Sequence, residues 1–301
     1  MMRRPQGLSK REDLLQTHGQ NLPRSGAARR QPFCPLPGCG GVSRGAWLLL
    51  GLLSLLSACA QSPKLALRAP VVLLGEVHDN AAQHALRLEA FKALLATGAR
   101  PALLMEQFDR SRQVIIDSQR QGTADELISA AKTGGGWRWD FYRPFIALAL
   151  QHGLPIVAAN VSRDEARVIM RRGLAEAGFD PAVPADIAAE TAANIEASHC
   201  GLLDKPTAQR MALAQIARDQ FMARMVEAHA ARGAVLLAGN GHVRNDIGVP
   251  RWLTAATRLR TQSIGLLEEG GTAPGSFDRV VITSRQPRPD PCDDFRGVPV
   301  Q

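Results

Sequence analysis

Aromatic residues make up only 5% of the 301 residues, and Tyr142 is the single tyrosine. Long apolar runs are missing too. The longest, residues 46–57 (AWLLLGLLSLLS), holds 12 residues. A helix needs about 20 to cross a bilayer, so this run does not span one. There is no internal repeat and no sustained heptad, which removes solenoids and coiled coils. Of the five cysteines, Cys34 and Cys39 stand in CPLPGC with no second pair beside them. That is too little for a zinc site. No CxxCH is present, so covalent c-type haem attachment is excluded. Basic surplus is also scarce outside the N-terminal stretch. The chain carries +8, but Met1–Gly45 holds eight basic residues against Glu12 and Asp13, a net +6. About +2 remains for everything after it, so no nucleic-acid partner is expected.

What is present begins with a leader. The 46–57 run has the length of a signal-peptide h-region. It leads into Leu56-Ser57-Ala58-Cys59, which resembles the lipobox of bacterial lipoproteins. Small residues let the extended chain enter a peptidase groove, and the Cys59 thiol accepts the lipid. Residues 1–58 are therefore expected to be a signal peptide with a long basic n-region, cleaved ahead of Cys59. Residues 59–70 are expected to tether the protein to a membrane by its lipidated cysteine. Ala60 stands where an aspartate would favour inner-membrane retention, which points to the outer membrane. Residues 71–284 read as one domain, and the Pro-rich 285–301 as a flexible tail. Cys200 and Cys292 remain free to pair in an oxidising compartment, though sequence alone does not bring them together.

Six short apolar runs end abruptly at polar residues: 71–76, 101–107, 155–160, 234–240, 263–269 and 279–284. They are apolar at nearly every position, the signature of strands buried on both faces in a parallel sheet. Helical stretches at 81–98, 144–153 and 206–233 lie between them, the last opened by Pro206. The fold class is α/β, a mainly parallel central sheet flanked by helices. A helical insertion is expected between the third and fourth strands.

Polar residues cluster where strands stop. Glu76 and His78 follow the first strand, Glu106 closes the second, Asn160 the third, and Asn240 and His242 follow the fourth. In an open parallel sheet these positions share the carboxyl edge, where ligands bind. Glu76, His78, Glu106 and His242 can serve as an acid/base set or as ligands of a divalent metal. Asp79, Asn160, Asn240 and Arg244 are candidates for supporting the pocket. Two of these also have a plainer reading: Asp79, with Asn80, as a helix cap and Asn160 as a turn former.

GEVHDNAAQH, LLMEQFD, WDFYRP, the HCG at 199–201, RDQFMA at 218–223 and GNGHVRNDIGVP resemble the ChaN-type haem-binding lipoprotein family over about residues 71–284. The resemblance implies an iron-regulated outer-membrane lipoprotein holding haem in a homodimer, with two haems face to face and a tyrosine ligand. Tyr142 is then the sole tyrosine candidate, and His78 and His242 are further haem-binding candidates. An outer-membrane haem receptor is the implied partner. The same layout resembles erythromycin esterase-like hydrolases and TraB/TIKI-type proteases, in which Glu76, His78, Glu106 and His242 would be catalytic. A tethered structural protein with a vestigial pocket is the third reading.

Overall fold

Runs that are apolar at every position call for cover on both faces; those at Val71–Leu74, Ala102–Asp109, Ile156–Asn160 and Ala234–Leu237 have it, whereas the edge run Arg279–Thr283 leaves Val280 and Ile282 exposed on one face. The structure, a computed structural model, describes residues 65–134, 136–271, 277–290 and 292–293. The leader and Cys59 fall outside the described residues. In chain order the elements are β1 (Val71–Leu74), α1 (Ala81–Ala96), β2 (Ala102–Asp109), α2 (Gln113–Ser118), α3 (Ala124–Ala131), α4 (Trp139–Gln151) and β3 (Ile156–Asn160). They continue with α5 (Arg163–Arg172), α6 (Ala185–Ser198), α7 (Lys205–His229), β4 (Ala234–Leu237), α8 (Asn240–Val243), α9 (Ala255–Arg258), β5 (Thr261–Glu268) and β6 (Arg279–Thr283). Three helices thus separate β3 from β4. Among the described residues no helix is long and apolar enough to cross a membrane.

All strand pairs are parallel, in the order β3-β2-β4-β1-β5-β6. Strand period 2 divides the core between the two faces. Val72, Leu74, Leu103, Met105, Val235 and Leu237 pack with Phe91 of α1 and Phe145 of α4. Val71, Leu73, Leu104 and Leu236 pack with Met222 and Val226 of α7. β4 is inserted between β1 and β2, so the chain segments that leave β1, β2 and β4 emerge side by side.

Local chemistry fixes the helix starts. Asn80 caps α1 by accepting from the Gln83 N–H at 3.1 Å. Thr123 with Glu126, and Ser162 with Glu165, close capping boxes on α3 and α5. Asp204 caps α7, with Pro206 in its first turn. One start differs from expectation: α4 begins at Trp139 rather than Pro144, and the proline lies inside the helix. Tyr142 is thereby carried on a helical turn that faces the sheet.

Two described segments bordering the domain are held more firmly than composition suggests. Leu65, in the expected tether, is buried in the core. In the expected flexible tail, Arg288 pairs with Asp79 and Glu268 at 2.7 Å each, and Cys292 is disulfide-bonded to Cys200 across 92 positions. A closed loop of that length restricts the unfolded chain strongly, so Cys292→Ser is expected to lower stability by about 2–4 kcal/mol. Equal denaturation midpoints for the oxidised parent and the variant would disprove this.

Candidate functional site

Glu76 leaves β1 as a buried carboxylate, and four side chains converge on it. Arg87 of α1, wholly buried, forms an ion pair with Oε2. It also donates to the Leu74 carbonyl at 3.1 Å. Oε1 accepts the Tyr142 hydroxyl in a short hydrogen bond and His78 Nδ1 at 2.7 Å. His84 Nδ1 lies 3.7 Å from Oε2. Burial lowers the Arg87 pKa to about 10, still charged at neutral pH. Burial also raises the Tyr142 hydroxyl above the usual phenol range, so it remains protonated and donates.

His78 is the part of this group that meets solvent, with its side chain 49% exposed. A carboxylate only accepts, so Nδ1 carries the proton and the neutral ring keeps its lone pair on Nε2. Trp137 stands edge-on to the ring at 4.8 Å. Phe141 stacks on His84 at 4.3 Å, and Arg138 lies over Phe141 at 4.5 Å. His84 is held near pKa 4 by burial, so it adds no charge.

A second group forms on the opposite face of the sheet, between β2, β4 and α7. His242 Nδ1 donates to Asp219 at 2.6 Å. Its Nε2 lies 3.5 Å from Glu106 Oε1, and Glu106 Oε2 accepts the Gly239 N–H at 2.8 Å. Burial alone would discharge this histidine, but Asp219 and Glu106 together push its pKa up to about 10. Burial would raise Glu106 too, yet His242, His78 and the Gly239 N–H bring it down to about 2. For Asp219 burial wins and the pKa is raised. The two groups meet at Gly239, where an added Cβ would lie 3.0 Å from His78 Cε1 and 3.8 Å from Glu106 Oε2. That close approach is why glycine stands there.

The four expected residues therefore reach one edge, as two groups on opposite faces of the sheet that adjoin at Gly239. Glu76 and His78 face α1 and α4, while Glu106 and His242 face α7. Among the described residues no three His, Cys, Asp or Glu side chains are placed to hold a metal ion. Arg87, Tyr142, Asp219 and Gly239 already engage Glu76, Glu106 and His242, so the arrangement gives the divalent-metal reading no support. The supporting residues serve the frame. Asn160 donates to the Glu106 carbonyl at 2.9 Å. Asn240 bridges to the Leu266 backbone, donating to its carbonyl at 2.6 Å and accepting its N–H at 3.0 Å. Arg244 pairs with Asp246 and Glu190, and Asp79 with Arg288. Tyr142 is fully buried.

Comparison with known proteins gives this edge its context. A family model described as haem-binding uptake, Tiki superfamily, ChaN, matches residues 64–253, more than half of the chain. The chain belongs to the ChaN family. Among solved structures, ChaN of Campylobacter jejuni, described as binding haem cofacially, has 23% identity and a TM-score of 0.58, with 70% of this chain and 86% of that one covered. An erythromycin esterase mutant in its open conformation gives 13% identity and a TM-score of 0.40, covering 67% of this chain and 71% of that one. The type III effector HopBA1 gives 12% and 0.38, covering 72% and 88%. No curated protein matches in sequence. The donors of this ChaN-family chain suit the family's haem. An imidazole oriented by a buried carboxylate is a suitable iron ligand. The Trp137 indole beside it offers an apolar wall.

Proposed function

We propose that this chain binds haem at the carboxyl edge of its sheet, with His78 as the iron ligand, and serves haem or iron uptake. The observation that carries this reading is the half-exposed His78 ring, braced through Nδ1 by Glu76 and backed by Trp137. Tyr142 is not favoured as the ligand, because its hydroxyl is buried and already spent on Glu76. A ligand at the surface leaves one haem face open, and a second copy of the chain closes it. The Leu56–Cys59 motif supports lipid anchoring at Cys59, Ala60 after it favours the outer membrane, and the family likeness favours a haem receptor as the uptake partner.

The hydrolase reading meets a specific obstacle. His242 faces a carboxylate from each ring nitrogen and is held protonated. It has no free lone pair with which to take a proton from water. The pairing describes a structural clamp better than a general base.

Haem titration of the chain from Gln61 onward, followed by absorbance and sedimentation together, tests the proposal. A saturable Soret band with dimer formation is expected, and His78→Ala should abolish the band. A flat titration, or an unchanged band in the variant, rules out this assignment.

A further inference from the structure

The amino edge of the sheet, opposite the candidate site, carries a pattern of its own. In spatial order, β2, β4, β1 and β5 are entered past Arg100, Arg232, Arg68 and the Arg258-Leu259-Arg260 triplet. The register sets these entries side by side: Ala102 pairs with Ala234, Ala234 with Val71, and Val71 with Thr261. All five arginines are exposed. Leu259, between two of them, is 89% exposed. We propose that this edge is a membrane-contact surface, with the arginines on anionic phospholipid headgroups and Leu259 inserted between them. The inference rests on the anchoring at Cys59 proposed above and deepens it.

A row of like charges repels itself, and this one is not neutralised from within. Residues 65–70, 97–101, 230–233 and 254–260, which enter the four strands, contain no Asp or Glu. Glu227 of α7 is turned to Thr254 and Thr257. Arg100, Arg232 and Arg258 bond backbone carbonyls, those of Leu95, Arg100 and Leu253. Among the described residues none of the five is paired with a carboxylate. Phosphate is the counter-charge such a row fits, because the guanidinium fork matches its oxygens. Near an anionic bilayer each arginine adds about fivefold to the preference for that surface. An exposed leucine flanked by cations suits the interface, with its apolar body inward and the charges among the headgroups. The tether makes the membrane the source of the phosphate. Cys59 stands six positions ahead of Leu65, at most about 22 Å of extended chain. Leu65 is fixed in the core, and residues 65–70 lead to the amino end of β1. A lipid on Cys59 therefore keeps this edge within reach of the bilayer. The carboxyl edge, with the candidate site, then faces away from the membrane.

The processed lipoprotein, reconstituted on vesicles, tests this. Its Cys59 is acylated and its Cys200 is bonded to Cys292, so Leu259→Cys gives a single free thiol for an environment-sensitive fluorophore. Val114→Cys is the control, because Val114 is 80% exposed on α2, beyond the carboxyl end of β2. The label at position 259 should shift to the blue on vesicles of equal phosphatidylcholine and phosphatidylglycerol. It should shift far less on phosphatidylcholine alone, and the label at position 114 should shift on neither. Adding Arg258→Gln and Arg260→Gln, or molar salt, should remove the shift while the lipid anchor holds the protein on the vesicles. An unshifted label at position 259 overturns the proposal. So does an equal shift at position 114, or a shift indifferent to lipid charge and to both arginines. Absence of the acyl group by mass spectrometry would strike the anchoring reading, and the proposal with it, so the two failures are told apart.

Discussion

His242→Ala is expected to destabilise the protein by about 3–5 kcal/mol, because removing one partner strands buried charge. Glu106 and Asp219 are both buried, and His242 stands between them at 3.5 and 2.6 Å. Without the imidazolium the two carboxylates oppose each other, and Glu106 keeps the Gly239 N–H as its hydrogen-bond donor. The pH dependence follows from the direction of each shift. His242, raised to about 10, contributes stability that is complete below its ordinary value of 6.5 and drains away as pH climbs towards 10. Glu106, lowered to about 2, contributes stability that is complete above 4.5 and is lost as pH falls towards 2. Asp219, raised by burial, offsets part of the gain once it ionises. The clamp is therefore worth most between about pH 4.5 and 6.5, and denaturation midpoints should decline from pH 6.5 to 9.5 in the parent. The slope should be much flatter in His242→Ala. A parent with no alkaline decline, or a variant within 1 kcal/mol of it, would falsify the clamp.

The edge itself was legible in the sequence because strand ends are written in it. Fully apolar runs that stop at Glu76, Glu106, Asn160 and Asn240 state both a parallel sheet and the edge at which the polar residues gather. What the pattern does not contain is strand order. Only the insertion of β4 between β1 and β2 brings His242 to Glu106 and sets Gly239 against His78. The same limit applies to the faces. Strand alternation sets Glu76 and His78 towards α4 and Glu106 and His242 towards α7, and only the close approach at Gly239 joins the two groups. Tyr142 drew attention as the sole tyrosine, and its inward direction depends on α4 starting five residues before Pro144. Two partners did leave a signal that composition hides. His84, Arg87, Phe91 and Leu95 lie on one helical stripe of α1. Ala212, Ile216, Asp219, Ala223 and Val226 do the same on α7. All nine are buried. A charge placed on an apolar stripe implies a buried partner, and those partners prove to be Glu76 and His242. The Arg288 contacts and the Cys200–Cys292 bond join distant segments, and no local spacing announces them.

Arg87→Met is the second large effect expected, again about 3–5 kcal/mol. The guanidinium is fully buried, pairs with Glu76 and holds the Leu74 carbonyl at the end of β1. Methionine keeps much of the volume, so packing against Phe145 is largely preserved and the deficit is electrostatic. Glu76 would then be a buried anion with only Tyr142 and His78 to answer it. This gives a cycle with a definite sign. Glu76→Gln alone strands the guanidinium and Arg87→Met alone strands the carboxylate, whereas the double variant strands neither. The double variant should be clearly more stable than the sum of the single effects predicts. Additivity within about 0.5 kcal/mol would show that the pair is not coupled. Salt should alter the parent little, because a pair with no solvent access is poorly screened. The stability of the double variant should not restore haem binding, however. Glutamine presents a neutral oxygen to His78 Nδ1, so the ring loses the anion that orients it. A refolded double variant with weakened haem affinity would separate the two roles of Glu76, the interior half of an ion pair and the brace behind an exposed ligand. Full haem affinity in that variant would mean that His78 needs no carboxylate behind it.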